Sequence, residues 1–221
     1  MSVSDILRMI LSKKGVEVGF ISKALGLPEE RVLRIILSLR GLELKEGKVH
    51  VSSPLQLALS AIEAGANPYV VSRFLSWQDF EAEVEEVLSR SGFAVARNVT
   101  IRFPTRAEID VIGVEGSTVL LVDCKHWDPK YTCRSRLESV IKRHKDRVKK
   151  SSQSSELARL LRKMTHHKNV ELYGVIVTLS SKVKGIIEGI PVVPVSLLSA
   201  FIRELDELKD EMYCAKMKLR V

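Results

Sequence analysis

The stretch Ala107 to Trp127, AEIDVIGVEGSTVLLVDCKHW, limits what this chain can fold into more than any other. Two apolar, β-branched runs flank Gly116-Ser117, a pair suited to a two-residue hairpin turn. With that loop Glu115 faces Thr118, and counting back pairs Val114 with Val119, Ile112 with Leu121, Asp110 with Asp123 and Glu108 with Lys125. Alternation puts Glu108, Asp110, Asp123 and Lys125 on one face at the open end of the hairpin. Carboxylates opposed at a Cβ separation of about 5 Å repel by roughly 3 kcal/mol at an effective dielectric near 20. Such a pair calls for a cation or a shared proton. A divalent metal is the usual answer, and Lys125 adds positive charge beside it. The other reading is a solvated strand end with a Glu108–Lys125 ion pair. Val-Ile-Gly-Val and Thr-Val-Leu-Leu-Val are apolar on both faces, which puts the acids at the rim of a covered core.

Size and charge bound the rest. The chain's 221 residues, 45% hydrophobic, suffice for a medium domain and a small one. No segment reaches the length of a membrane span, and the amphipathic start MSVSDILRMILSKKG carries Asp5, unlike a signal peptide. Cysteines 124, 133 and 214 have neither metal-ligand spacing nor an even number, so a reduced, cytoplasmic setting is expected. A net charge of +8 favours an anionic partner, nucleic acid first.

At the N-terminus, residues 4–13, Phe20–Leu25 and Pro28–Arg40 read as three helices. Leu42–Lys45 and Val49–Val51 follow as a small hairpin around Glu46-Gly47-Lys48. That order describes a winged helix-turn-helix module over residues 1–53. Its third helix carries Arg31, Arg34 and Ser38 on one face and is apolar nearly all round. It either reads DNA, against the acids Glu29 and Glu30 at its start, or packs on protein. Residues 54–75 read as a helical connector with a break at Gly65-Ala66-Asn67-Pro68. The lack of a Ser/Gly or Pro-rich linker argues against a flexible tether.

From residue 76 onward the expected order is helix, three strands, helix, strand. The helix Trp77–Ser91 has an apolar stripe of Trp77, Phe80, Val84, Val87 and Leu88. Glu81 points along it, either snorkelling at a rim or facing the acids of the sheet. A strand over Phe93–Phe103 and the turn Pro104-Thr105-Arg106 lead into the hairpin. After it comes a long helix from Arg134 with the apolar face Leu137, Val140, Ile141, His144 and Val148, and with Gln153 in its second half. Eight Lys or Arg against Glu138 and Asp146 lie between residues 134 and 150. Of these, Arg136, Lys142, Arg143, Lys145, Arg147, Lys149 and Lys150 either contact phosphates or simply keep that face solvated. His144 reads as a core histidine. A buried strand Val170–Leu179, a short edge piece Val192–Val195, a helix capped by Ser196 and a tail from Tyr213, strand or frayed, complete the chain.

In this order the motifs resemble the PD-(D/E)XK, restriction-endonuclease-like nuclease superfamily. They are most similar to archaeal Holliday-junction resolvases and Mrr-type restriction enzymes, over roughly residues 76–179. The matching residues are Glu81 in DFEAEVEEVLSRSGF, Asp110 in EIDVIG, and Asp123 and Lys125 in LLVDCKHW, with Asp123 where Glu is more frequent. The N-terminal module is similar to the winged-helix extension of some archaeal members. The resemblance implies a mixed α/β (α+β) fold: a winged helix-turn-helix, then an αβββαβ core with a central mixed sheet flanked by helices over residues 76–221. It also implies a metal-dependent DNA endonuclease. Asp110, Asp123, Glu81 and the Cys124 carbonyl would hold Mg²⁺ or Mn²⁺, and Lys125 would orient the attacking water. Glu108 would stand just behind the site, and His126 and Trp127, which follow the motif, would either touch substrate or pack behind it. DNA is the expected partner and a homodimer is compatible with duplex cutting. Rival readings are a non-catalytic winged-helix DNA-binding regulator that dimerises through a nuclease-like fold, and a nuclease acting on RNA.

Overall fold

The computed structural model describes residues 6–7, 9–10, 15–66, 71, 75–102, 104, 106–125, 134–179 and 183–219. They belong to two compact units, Met1–Phe80 and Glu81–Val221.

The first unit contains β1 (Val16–Glu17), α1 (Val18–Leu25), α2 (Glu29–Ser38), β2 (Leu42–Lys45), β3 (Lys48–Val51) and α3 (Pro54–Glu63). The strands form an antiparallel sheet in the order β1-β3-β2. Ile6, Ile10, Val16, Val18, Ile21, Val32, Ile36 and Val49 make its core. Helix α2 is one-sided: Val32 and Ile36 are buried, whereas Leu37 is 75% exposed. Pro28 stands just before the helix, at its cap. Ser53 caps α3 by accepting a hydrogen bond from the Gln56 N–H. Of the helix expected at 4–13, residues 6, 7, 9 and 10 are helical and the rest lie outside the described residues. In the second helix expected in the connector, Val71 is helical, and residues 69–70 and 72–74 are likewise outside.

Helix α4 (Trp77–Arg90), capped by Ser76 accepting from the Asp79 N–H, leads into a seven-stranded mixed sheet. Its strands are β4 (Ala94–Ile101), β5 (Ala107–Glu115), β6 (Thr118–Lys125), β7 (Asn169–Thr178), β8 (Gly185–Ile187), β9 (Ile190–Pro194) and β10 (Cys214–Lys218). The order is β4-β5-β6-β7-β9-β8, and β10 pairs with the first half of β7. β6 and β7 are parallel, joined by a crossover through α5 (Arg134–Ser151) and α6 (Ser155–Met164). A parallel neighbour cannot be reached by a hairpin, so the chain must cross over the sheet, and here the basic helix makes that crossing.

Several expectations are corrected. Gln153 lies in the turn between α5 and α6, because Ser154 caps a separate helix by accepting from the Leu157 N–H. The piece at Val192–Val195 is not an edge, since β9 pairs with both β7 and β8. The helix expected from Ser196 is broken into a 3₁₀ turn Val195–Leu197, α7 (Leu198–Arg203) and α8 (Leu205–Leu208). Of the two readings open for the tail from Tyr213, the strand is the one present, as β10. Trp77 leaves the apolar stripe of α4 and is 40% exposed. The strand expected over Phe93–Phe103 is confined to β4.

Helices cover the sheet on both faces, and two glycines set how closely. A Cβ at Gly113 would come within 3.1 Å of Phe93 and 3.3 Å of Leu88 of α4. On the other face, a Cβ at Gly174 of β7 would meet Val148 at 2.7 Å and His144 at 3.0 Å, both on α5. On that second face Ile112, Val114, Val119, Leu121, Val148, Leu157, Leu161 and Leu172 join in one buried cluster. Leu137, Val140 and Ile141 of α5 pack on Ile176, Ile190 and Val192. The expected apolar face of α5 is the face it buries. Gly174→Ala would force α5 away from β7, and overpacking of this kind typically costs about 1–3 kcal/mol. A lowered urea midpoint with an unchanged slope is the expected outcome.

Candidate active site

Near its turn at Gly116 (φ 57°) the hairpin has the register counted from its sequence, with Glu115 opposite Thr118, Val114 opposite Val119 and Ile112 opposite Leu121, but the expected pairs Asp110–Asp123 and Glu108–Lys125 are not part of the ladder. Backbone pairing between β5 and β6 ends at Val111 and Val122. Past that pair the Asp110 carboxylate fills the gap: Oδ2 accepts the Cys124 N–H at 2.6 Å. Asp110 therefore tethers β6 through its side chain, where a ladder bond would otherwise stand.

Asp123 is 3% exposed. Arg147 Nη1 of α5 donates to its Oδ1 at 2.7 Å, and Lys125 Nζ lies 2.9 Å from its Oδ2. Burial pushes Asp123 up, but the charges of His144, Lys125 and Arg147 together with the Lys125 hydrogen bond bring its pKa below the ordinary carboxylate value. The last two hold it at neutral pH, because burial drives His144 down to about 4 and leaves that ring uncharged. Asp110 moves the other way: desolvation and the Asp123 charge raise it despite the Cys124 N–H bond and the charges of Lys125 and Arg147. The two acids thus occupy different states of charge satisfaction. Asp123 has two cations, and Asp110 has a backbone donor and no ion pair among the described interactions.

Glu81 is 3% exposed on α4, and its charge, behind burial and that of Asp110, contributes to raising the Cys124 thiol far above its ordinary value. The thiol stays protonated, so only the Cys124 carbonyl is available as an oxygen donor. Alternation along β6 turns Cys124 toward the α4 face and Asp123 toward the α5 face. Among the described residues, no three His, Cys, Asp or Glu side chains converge as a group able to hold a metal ion. In donor chemistry Asp110 and Asp123 fit a hard divalent cation, being oxygen ligands partly or wholly withdrawn from water. The charge of Asp123 acts on Asp110, and the charges of Asp110, Glu81 and Asp123 all act on the Cys124 thiol between them.

Beside the acids lies a cleft of about 480 Å³ lined by Arg106, Glu108, Arg143, Asp146, Arg147 and Lys150 among others. Arg143, Arg147 and Lys150 recur at i, i+4 and i+7, one face of α5. Lys145 is turned elsewhere: its Nζ donates to the Glu188 carbonyl at 2.8 Å and sits over the Tyr213 ring. Arg136, Lys142 and Lys149 are exposed on the rest of the helix. Arg31 and Arg34 are exposed on α2 of the first unit. The Glu108–Lys125 pair is not formed. Glu108 is exposed and paired with Arg106 at 3.0 Å, and Lys125 serves Asp123 instead. The strands part at Asp110, so the register no longer holds residues 108 and 125 opposite each other. His126 and Trp127 lie outside the described residues.

Sequence reasoning placed Arg147 in a basic row without marking it as the partner of Asp123. The spacing His144 to Arg147 carries a faint signal, since one helical turn separates a buried ring from a charge on nearly the same face. In sequence Arg106 shows only as the last residue of the Pro104-Thr105-Arg106 turn. Ser151, whose buried Oγ has no hydrogen-bond partner in the structure and which lines the cleft, gave no signal at all.

Residues 76–179 match the nuclease-related domain family, NERD. The match runs from the cap of α4 to the end of β7 and so takes in Glu81, Asp110, Asp123 and Lys125. No curated protein sequence matches the chain. Protein VC1899 from Vibrio cholerae, a solved structure, aligns with 94% of this chain at 12% identity and a TM-score of 0.34. The alignment covers 51% of that protein, so this chain spans about half its length; a likeness this slight carries no argument. Among the described residues, no helix is long and apolar enough to cross a membrane.

The depressed His144 makes stability depend on pH. Its folded value, about 4 against 6.5 for the free side chain, means the unfolded chain binds the proton first. Stability is therefore complete above pH 6.5 and is lost as pH falls toward 4, by about 3 kcal/mol in total. Asp123, held low, adds a loss at more acidic pH, while Asp110, held high, offsets part of the fall. Urea unfolding at pH 7 and pH 5 is expected to show the drop in the wild type and a much smaller one in His144→Leu.

Proposed function

We propose that the chain is a metal-dependent endonuclease that hydrolyses phosphodiester bonds in DNA, of the PD-(D/E)XK kind. The observation that carries this is the adjacency of two desolvated aspartates, Asp110 and Asp123, to Lys125 at the parted end of a hairpin, beside a basic cleft. The match to a nuclease-related domain supports the nuclease part of the reading. The charge distribution supports the substrate. Residues 134–168 hold twelve Lys or Arg against three Asp or Glu, whereas residues 1–80 hold ten against eight. The excess of positive charge thus lies along the two crossover helices, of which α5 presents Arg143, Arg147 and Lys150 to the cleft.

In this reading Asp110 and Asp123 would hold Mg²⁺ or Mn²⁺, with the Cys124 carbonyl and Glu81 as further oxygen donors. When bound, such an ion acidifies a water and offsets phosphate charge. Arg143, Arg147, Lys150 and Arg106 seat the phosphodiester backbone in the cleft. Lys125 orients the attacking water and stabilises charge building on the phosphoryl oxygens. The first unit would act as a winged helix-turn-helix, with α2 as the groove-facing helix, and two copies of the chain would cut the two strands of a duplex.

Cleavage of DNA is expected to require Mg²⁺ or Mn²⁺ and to stop with EDTA. Asp110→Asn, Asp123→Asn and Lys125→Ala should each lower kcat by about 100-fold or more. Full activity in any of them defeats the assignment. Arg143→Ala and Lys150→Ala should leave kcat nearly intact, weaken binding, and each reduce the slope of log K against log salt by about 1. One observation favours a second reading: Asp123 is already paired with Arg147 and Lys125, as in a site that holds no ion. A non-catalytic DNA-binding regulator predicts EDTA-insensitive binding without cleavage of DNA in any form.

A further inference from the structure

The β4–β5 ladder contains a fault at one position. Arg97 pairs with Val111 and Val99 pairs with Ile109, yet the pair between them, Asn98 with Asp110, is absent. Register is the same on both sides of the gap, so no residue is inserted, unlike a β-bulge. The cause lies in the backbone of Asn98, which has φ of 53° within a strand. A left-handed residue departs from the extended geometry that a ladder pair requires. It is disfavoured for L-residues, and Asn is the non-glycine residue that tolerates it best. The Asn98 side chain is exposed, so packing does not account for the residue's presence.

Asp110 is thereby released on both edges. Pairing toward β4 lapses at Asn98, and pairing toward β6 has already ended at Val111 and Val122. A strand residue held by two ladders has its side chain fixed perpendicular to the sheet. Freed from both, Asp110 can tilt sideways until its Oδ2 meets the Cys124 N–H at 2.6 Å.

We infer that Asn98 is a positioning residue, whose left-handed backbone frees Asp110 to bridge to Cys124 and so sets the aim of that carboxylate. The inference rests on the proposed nuclease reading only for its consequence in catalysis. A competing account is edge protection: β4 ends the sheet, and irregular backbone on an edge strand discourages association with other chains.

The test compares Asn98→Gly and Asn98→Val in the full chain by amide hydrogen exchange and proton shift at Cys124, alongside thermal unfolding and cleavage kinetics. Glycine adopts φ near +50° freely, so Asn98→Gly should keep the Cys124 amide as in the wild type. Valine favours extended backbone and restores the missing pair. Asn98→Val should speed exchange at Cys124 by roughly tenfold, move its proton shift upfield, and leave exchange in β7 and at the other amides of β6 unchanged. Cleavage by Asn98→Val should fall by about 10- to 100-fold in kcat with KM nearly constant, and Asn98→Gly should restore it. Should Asn98→Val not fold, Asn98→Ala, which also disfavours this φ, is read by the same criteria. A wild-type Cys124 amide in the β-favouring variant overturns the inference, as does equal loss in Asn98→Gly. Association of Asn98→Val with an unchanged Cys124 amide would assign the fault to edge protection. If no form of the protein cleaves nucleic acid while Cys124 responds as described, the positioning role stands and the nuclease reading falls.

Discussion

The hydrogen bond from the Cys124 N–H to the Asp110 carboxylate is the contact on which the second unit's site depends. It stands where the β5–β6 ladder gives out, and it replaces a backbone acceptor with a charged one. Charge-assisted bonds of this kind are stronger than the neutral bond they displace. The exchange lets the sheet open without leaving the Cys124 donor unsatisfied, and opening is what allows Asp110 and Asp123 to coexist at the rim. A fully zipped hairpin would have opposed them directly, with the repulsion that follows.

Around that contact the fold deals with charge from within the chain. Asp123 is almost fully buried and is served by Arg147 from the crossover helix and Lys125 from its own strand. Burying a carboxylate without such partners would be expensive, and removing one partner from a buried pair is costly in turn. Arg147 also faces the cleft, so one side chain links the buried acid to the basic surface. His144, one turn earlier, is held neutral and donates Nε2–H to the Leu121 carbonyl at 3.1 Å, leaving Nδ1 without a partner. The helix that supplies these groups can lie this close only because β7 carries Gly174 beneath it.

Much of this was legible from local pattern. The hairpin register, the buried stripe with Glu81, the one-sided apolar face of α5 and the long strand β7 all follow from periodicities of two and 3.6 residues, which act over a few neighbours. The misreadings share a cause as well. Gln153 was absorbed into one helix because no Gly or Pro marks the break, which Ser154 makes by capping α6. The position of β9 inside the sheet depends on β7 and β8 reaching it from distant parts of the chain. Glu108 was matched with Lys125 by extending a register past the point where the strands separate.

Residue spacing alone dictates which residues alternate, which face of each helix is apolar, and that two aspartates and a lysine share one end of a hairpin. These are consequences of backbone geometry within single elements and one tight turn. That Asp110 bonds across the gap to Cys124 and that Arg147 reaches Asp123 from a helix 24 residues on follows from the folded layers instead. Those outcomes turn on desolvation and on how layers stack, and neither is written in the spacing of residues along one strand. The acid pair announced in the hairpin is thus an unequal one: Asp123 is charge-satisfied by the crossover helix, and Asp110 is held by the backbone of the strand it was expected to oppose.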